Sequence, residues 1–454
     1  MFEPVTFEED WQTPHLWRKT AGTGPGGTGP GGTGPAGRRA TAPALAGDLT
    51  TDVLVVGGGF TGLATALGAR DSGAAVMLVE GHEIGSAASG RNNGLVISHH
   101  SKATPSEFEA AYGKVRGERY NYLVAEAAAV AFGLMRRFGI DAHQVQNGWL
   151  QPAHTEATLV RARRFHDEWK AFGAPVTWFD RAEISARIGS PYLGGWMANT
   201  SGHINPFALA LGLASAVEGE GVTIFENSRA TGLERLGNGW RVQAGQGRIT
   251  AREVVLATNA LTDGLWPGLK RTLIPCKVFQ AATEPLPEDL RRQILVGSPA
   301  VSDMRHDMRY FHYDRDNRLV SGGTRIFWFD EADRGRDQVS RLLGKAFRAL
   351  GKAAGGLPRV SEYWTGTFAA VPDRRPRLFR LAPGLVFGGV YSGRGVALSL
   401  SLGQEIGRWV AGRRCDDHMP VPVTPMRSVP LHFLAVQAAN RVHPAMSRLQ
   451  DALD

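Results

Sequence analysis

The sequence of 454 residues predicts an α/β protein built on a Rossmann-like nucleotide-binding unit. Three observations carry that expectation. Val53-Leu54-Val55-Val56 is an unbroken apolar run, as a parallel strand covered on both faces requires. Gly57, Gly59 and Gly62 follow it directly in G-x-G-x-x-G spacing. A helical period then leads into a second apolar run, Val76 to Val79, which closes on Glu80.

Along the chain, residues 1–20 hold Trp11 and Trp17 in a polar setting and read as an arm packed on the body. Residues 21–47 read as a flexible Gly/Pro/Thr linker. The linker matches G-x-G-x-x-G repeatedly, but each match contains a proline and none follows an apolar run, so it cannot cradle a phosphate. The match at 57–62 has the full context: Phe60, Leu63, Ala64 and Leu67 recur at helical spacing, and Gly73 ends the helix. Glu80 then stands where an acid accepts the hydroxyls of an adenosine ribose, and its being an acid argues against a 2′-phosphate. A second glycine-rich segment spans 84–94.

Residues 106–140 read as helix with Tyr122, Ala125, Ala129 and Phe132 on one face; 157–172 and 207–218 are further helices, the latter opened by Asn205-Pro206. Strands are expected at 221–225, 240–243, 248–256, 273–283, 309–313 and 318–322, and a helix at 396–411. No second well-formed glycine motif follows, which points to FAD alone rather than FAD with a nicotinamide.

Composition narrows the classes. No apolar run approaches the roughly 20 residues of a membrane-spanning helix, and MFEPVTFEED is acidic where a signal peptide is basic, so a cytoplasmic protein is expected. Two distant cysteines, Cys276 and Cys415, exclude a disulfide framework and a Cys-x-x-Cys redox pair. The scattered histidines form no metal constellation. The net charge of +8 comes from dispersed arginines without a basic tract, which argues against nucleic acid and fits an anionic cofactor and acidic substrates.

The order of VLVVGGGFTGLATAL, LVE, IGSAASGRNNG, GHINPFALA, VVLATNA, TEPL, RLVSGG and GLVFGGVYSGRGVALSLSLG resembles the FAD-dependent D-amino-acid oxidase superfamily of glycine and sarcosine oxidases, and within it the γ-glutamylputrescine oxidase group. The resemblance runs over about 48–415. It implies a Rossmann-like FAD-binding domain (48–105, 195–270 and 360–415) with an inserted α+β substrate domain on an antiparallel sheet (106–194 and 271–359), and a partly helical tail at 416–454. By the same resemblance Gly57, Gly59, Phe60, Thr61, Gly62 and Glu80 bind the ADP half, and Ser89, Gly90, Arg91, Asn92 and Asn93 wrap the flavin. Ser392, Gly393, Arg394, Gly395 and Val396 meet its pyrimidine end, where a helix terminus stabilises charge at N1 and O2; Ala230 and Asn259 join the cofactor set. Relatives that attach FAD covalently use a cysteine in the segment here written WTGTFAA, or a histidine soon after the glycine motif. The segment here has no cysteine, and His82 follows Glu80 too closely, so non-covalent FAD is expected.

The implied reaction is oxidation of a neutral amine or amino acid by hydride transfer to flavin N5, then hydrolysis of the imine, with oxygen or another acceptor taking the electrons. The candidate catalytic set is Lys277, Arg305, Tyr310, His312 and Arg394: a Tyr/Arg pair to clamp a carboxylate, a lysine to assist oxygen, and the turn arginine. Cys276 reads as a core residue, and His99 and His100 as lining the entrance or facing water. Two other readings stand beside this one: an FAD enzyme for another donor such as a hydroxy acid, and a non-catalytic flavoprotein subunit.

Overall fold

The computed structural model describes residues 14–22, 39–324 and 331–453. The strand Ala46–Val56 lies at the centre of a nine-stranded sheet, parallel to Val76–Val79 on one side and to Gln246–Leu256 on the other. Thr223–Phe225 and Leu385–Gly389 extend the parallel part outward. Val53, Leu54 and Val55 are fully buried, as the continuous apolar run requires. All these strands deliver their carboxyl ends to one edge, where an open α/β sheet places its ligand.

The helices Phe60–Asp71 and Gly395–Val410 pack against each other on that sheet. Their backbones touch because the crossing is made by glycines: a Cβ on Gly68 would sit 2.3 Å from Gln404 O, and one on Gly407 2.2 Å from Thr65 O. A second, eight-stranded sheet runs Val360–Ala370, Ile274–Thr283, Leu319–Thr324, Tyr310–Tyr313, Ala300–Ser302, Trp149–Ala153, Gly194–Ala198 and Val176–Phe179. It is antiparallel apart from one pair, Ala300–Ser302 with Trp149–Ala153.

The pairing redraws several expected boundaries. Gly194–Ala198 and Val360–Ala370, expected with the FAD-binding segments, hydrogen-bond into the second sheet. Conversely, the helix Lys114–Phe138 packs on Gly395–Val410 and Pro206–Gly219, on the nucleotide side. Gly113 (φ +80) separates it from the shorter helix Pro105–Tyr112. Its buried seam runs through Tyr120, Val124, Ala127 and Ala131, whereas Tyr122 is 62% exposed, because the helix faces two neighbours rather than one. Of the expected linker 21–47, residues 23–38 fall outside the described residues; in the rest Arg39 pairs with Glu218 and with buried Glu226, and Leu45 is fully buried. A buried carboxylate needs such a counter-charge, and that need orders this stretch. Asn205 caps Pro206–Gly219 as expected, its Oδ1 accepting from the Phe207 and Ala208 amides.

Candidate active site

A cavity of about 1000 Å³ opens along the carboxyl edge of the first sheet and continues beneath the second. At its nucleotide end Gly57 adopts φ +109, a turn that an L side chain rarely makes. Gly62 is required for a different reason: a Cβ there would lie 1.8 Å from Gly57 O, so helix and strand could not approach. Gly59 and Phe60 line the cavity, and the Phe60 amide is held by Ser89 Oγ at 2.9 Å. Glu80 lines it too, one oxygen accepting from Gly58 N (2.7 Å) and the other from His82 N (2.9 Å). Burial raises this carboxyl above its usual range, which hydroxyl donors from a ribose would counteract. Ala230 lines the same end, beside an Arg229–Asp263 pair at 2.7 Å.

The short helix Ala88–Arg91 and the loop after it form one wall through Ser89, Arg91, Asn92 and Asn93. Its polar side chains are largely spent on the loop itself: Asn92 Oδ1 accepts from Gly94 N, Asn93 Oδ1 from Leu95 N, and Arg91 Nε donates to Thr365 O at 2.7 Å. Gly90 stays behind the wall, where a Cβ would lie 2.1 Å from Gly85 O. Opposite, Asn259 Oδ1 accepts from Ala260 N and Ala369 N. The turn that precedes Gly395–Val410 is strained: Val390 (φ +63) and Ser392 (φ +47) occupy the left-handed region, at about 1–3 kcal/mol each. It brings Ser392, Gly393, Gly395 and Val396, and so the positive end of a helix, to the cavity wall, while Thr61 Oγ1 ties it down through Tyr391 OH at 2.9 Å. Glycine cradle, acid, wall and helix end in one cavity fit an FAD molecule.

The substrate-side candidates fare differently. Arg305 lines the cavity, but its guanidinium is committed to Asp303; Tyr310 lines it too, but its hydroxyl donates to Gln280 Oε1 at 2.6 Å. They do not form the expected clamp. His312 lies outside the cavity lining, between Asn93 O (2.8 Å) and Tyr313 O (3.0 Å), because only the first residue of its short strand reaches the cavity. His99 and His100 are buried rather than at an entrance, packed on Trp149 and on Phe108 and Tyr120, and His100 Nε2 pairs with Asn121 Oδ1. Cys276 packs against the buried cluster of Ile274, Val429 and Val436 and also lines the cavity, its thiol raised by burial to about 12. Lys277 lines it too, and its backbone amide donates to Asn440 Oδ1.

Arg394 stands apart. Its guanidinium carbon sits 5.3 Å from the Trp149 ring centroid, its Nε is buried without a hydrogen-bond partner, and burial brings it down to about 10. Sharing the cavity are Arg374, also lowered by burial, Arg161, whose Nη2 donates to Met304 O, and Lys102 at the rim. Lys102 is lowered to about 8 by burial and then by Arg374, Arg161 and Arg394. The aspartates of the cavity are taken: Asp303 by Arg305, Asp307 by Arg448, Asp263 by Arg229. Among the described residues none of these four cations forms an ion pair. Lys102, Arg161 and Arg374 carry no motif, and Ala439, His443 and Pro444 reach the cavity from the tail; sequence reading missed them because only tertiary packing brings them there.

Comparison with known proteins agrees with this geometry. Residues 52–409 match the family model described as FAD dependent oxidoreductase. The chain is 30% identical over 400 residues to the gamma-glutamylputrescine oxidoreductase of Escherichia coli, covering 86% of this chain and 92% of that one. It is 23% identical to the glycine oxidase of Bacillus subtilis over 72% of this chain and 84% of the other. Among solved structures, glycine oxidase from Geobacillus kaustophilus superposes with a TM-score of 0.68 at 22% identity, covering 83% of this chain and 99% of that one. L-amino acid deaminase from Proteus vulgaris gives 0.69 at 21%, covering 85% and 96%.

Proposed function

The chain belongs to the FAD-dependent oxidoreductase family, and on that premise we propose that it oxidises an amine that carries a carboxylate, an amino acid or a derivative of one. The product is an imine, which water hydrolyses to a carbonyl compound and ammonia or a smaller amine. The relatives' names, gamma-glutamylputrescine oxidoreductase and glycine oxidase, support an amine or amino-acid donor. The observation that carries the carboxylate is the unpaired cationic end of the cavity, led by Arg394.

FAD, when bound, would supply the acceptor for a hydride from the carbon that bears the nitrogen, and a route for its electrons to oxygen or another acceptor. Gly57, Gly59, Gly62 and Glu80 would hold its adenosine half non-covalently, and the loop 89–93 and the turn 392–396 its flavin. Arg394 and Arg374 would bind the substrate carboxylate and so fix the α-carbon in place. The same positive field works against an ammonium, so it favours the neutral amine whose lone pair must assist hydride loss. Met304, Met308 and Phe165 line this end and exclude water. Lys277 is the candidate for assisting oxygen. Two free cysteines, and no helix among the described residues long and apolar enough to cross a membrane, support a cytoplasmic setting.

Anaerobic mixing of the yellow holoprotein with matched amino acids, amines lacking the carboxylate, and hydroxy acids tests this reading through loss of visible flavin absorbance. Bleaching by amino acids, and more slowly by the matched amines, is expected. Bleaching by hydroxy acids alone would transfer the protein to the other donor class, and no bleaching by any donor would support a non-catalytic flavoprotein.

A further inference from the structure

The back of the flavin-side loop holds an arrangement that neither the reaction nor the glycine motif calls for. Three consecutive carbonyls, of Arg91, Asn92 and Asn93, each meet one ring nitrogen from a different part of the chain. Trp364 Nε1 donates to Arg91 O at 3.0 Å, Trp17 Nε1 donates to Asn92 O at 2.8 Å, and His312 Nε2 lies 2.8 Å from Asn93 O. Trp17 joins the three rings: it stacks on His312 (5.8 Å between centroids, 14°) and meets Trp364 edge-on (5.6 Å, 78°).

Trp17 belongs to the five-residue helix Leu16–Thr20, which the sequence between 23 and 38 separates from the strand that begins at Ala46. The segment is nevertheless built into the body. Leu16 and Trp17 are each 1% exposed, Asn205 Nδ2 donates to Trp17 O and Thr20 Oγ1, and Arg18 and Lys19 pair with Glu83 and Glu362. It contributes no strand to either sheet, so both sheets are complete without it. On the other face of the loop, Arg91, Asn92 and Asn93 line the cavity.

We propose that residues 14–22 are a cofactor-retaining clamp, and that Trp17 is a positioning residue that holds the flavin-side wall through Asn92 O. The physical basis is the asymmetry of hydrogen bonding: without the indole N–H, the partly buried Asn92 carbonyl loses its partner, and the loop turns to recover one. Turning the Asn92 peptide also moves the amides and side chains on its cavity face. The clamp therefore acts on FAD retention, and it rests on FAD occupying this cavity.

Two variants of the full-length chain test it, Trp17→Phe, which keeps the stacked ring and loses the N–H, and Trp17→Ala, which loses both. The readouts are FAD affinity and release rate, followed by the fluorescence of freed FAD, and the melting temperatures of the apo and holo forms. The proposal expects Trp17→Phe to weaken FAD binding roughly tenfold, and Trp17→Ala more, with the apo form of each variant losing less in melting temperature than its holo form. The holo melting temperature then falls, because binding stabilises only by its affinity. Equal losses in apo and holo stability with unchanged FAD affinity would overturn the clamp and leave an ordinary packing contact; so would wild-type affinity and release in Trp17→Phe. Failure of the wild-type protein itself to bind FAD would instead remove the cofactor reading on which the proposal stands.

Discussion

Replacing Arg394 by methionine separates substrate recognition from cofactor support. The side chain keeps its approximate length and loses its charge and donors. In the free protein the guanidinium is held at about 10, against an ordinary value above about 12, which corresponds to on the order of 3 kcal/mol of desolvation without a compensating partner. That cost is already met before substrate arrives, so a carboxylate entering the cavity gains a charge-assisted hydrogen bond at little further expense. Such a bond contributes about 1.5–3 kcal/mol, so Arg394→Met lowers kcat/KM for a carboxylate-bearing amine by about 10- to 150-fold. The assay is anaerobic flavin reduction with a matched pair of substrates, the carboxylate and its methyl ester. The ester loses little in the variant, and Arg394→Lys recovers part of the carboxylate rate because charge returns without the planar fork. Thermal stability of the methionine variant is unchanged or raised, since a buried unpaired charge has been removed. Equal losses for acid and ester would refute the reasoning and move Arg394 to the flavin; no loss for either would leave it without a role in the cavity.

Other outcomes follow from the same geometry. Glu80→Ala removes the acceptor poised at the end of Val76–Val79 and weakens FAD binding roughly tenfold or more, read by titrating the apoprotein. Gly62→Ala forces a Cβ against the Gly57 carbonyl at a cost of about 1–3 kcal/mol or more, so the purified variant is colourless and melts earlier. Replacing Gly24, Gly26 and Gly29 with serine leaves the flavin content of purified protein unchanged, because the proline-broken glycines are not the phosphate site. Lys102 carries its charge below pH of about 8 and loses it above, so a carboxylate inhibitor binds up to about fivefold more weakly as pH rises through 8, and Lys102→Met abolishes that step. The unfolded chain keeps this proton to higher pH, so stability rises with pH between about 8 and the ordinary lysine value, the opposite sign from the inhibitor effect. A binding curve insensitive to pH in the wild type would remove Lys102 from the anion site.

The nucleotide end of the cavity was legible in the amino-acid sequence because its determinants are local. A strand, a turn that tolerates φ +109 at Gly57, a glycine packed against that turn and an acid at the next strand end follow one another within a short stretch, and each residue type has a steric or electrostatic reason to be there. The same holds for the turn before Val396, whose glycines and helical period are contiguous. The substrate end was not legible, because its chemistry depends on which charges remain unpaired. Arg305 and Arg394 look alike in the sequence, but Asp303 neutralises the first and nothing carboxylic reaches the second. Tyr310 and His312 share a strand face, yet only the first meets the cavity, since the strand ends at the wall and His312 turns to the loop behind it. Trp17 gives no local sign of its place, for its partners Asn92, Asn205, His312 and Trp364 are brought to it by both sheets. Sequence by itself therefore determined the glycine turn and the parallel strands, where neighbours in the chain are neighbours in space. Tertiary structure alone decided which cations stay free and which rings hold the flavin-side loop, because pairing and desolvation are properties of groups that meet only after the chain has folded.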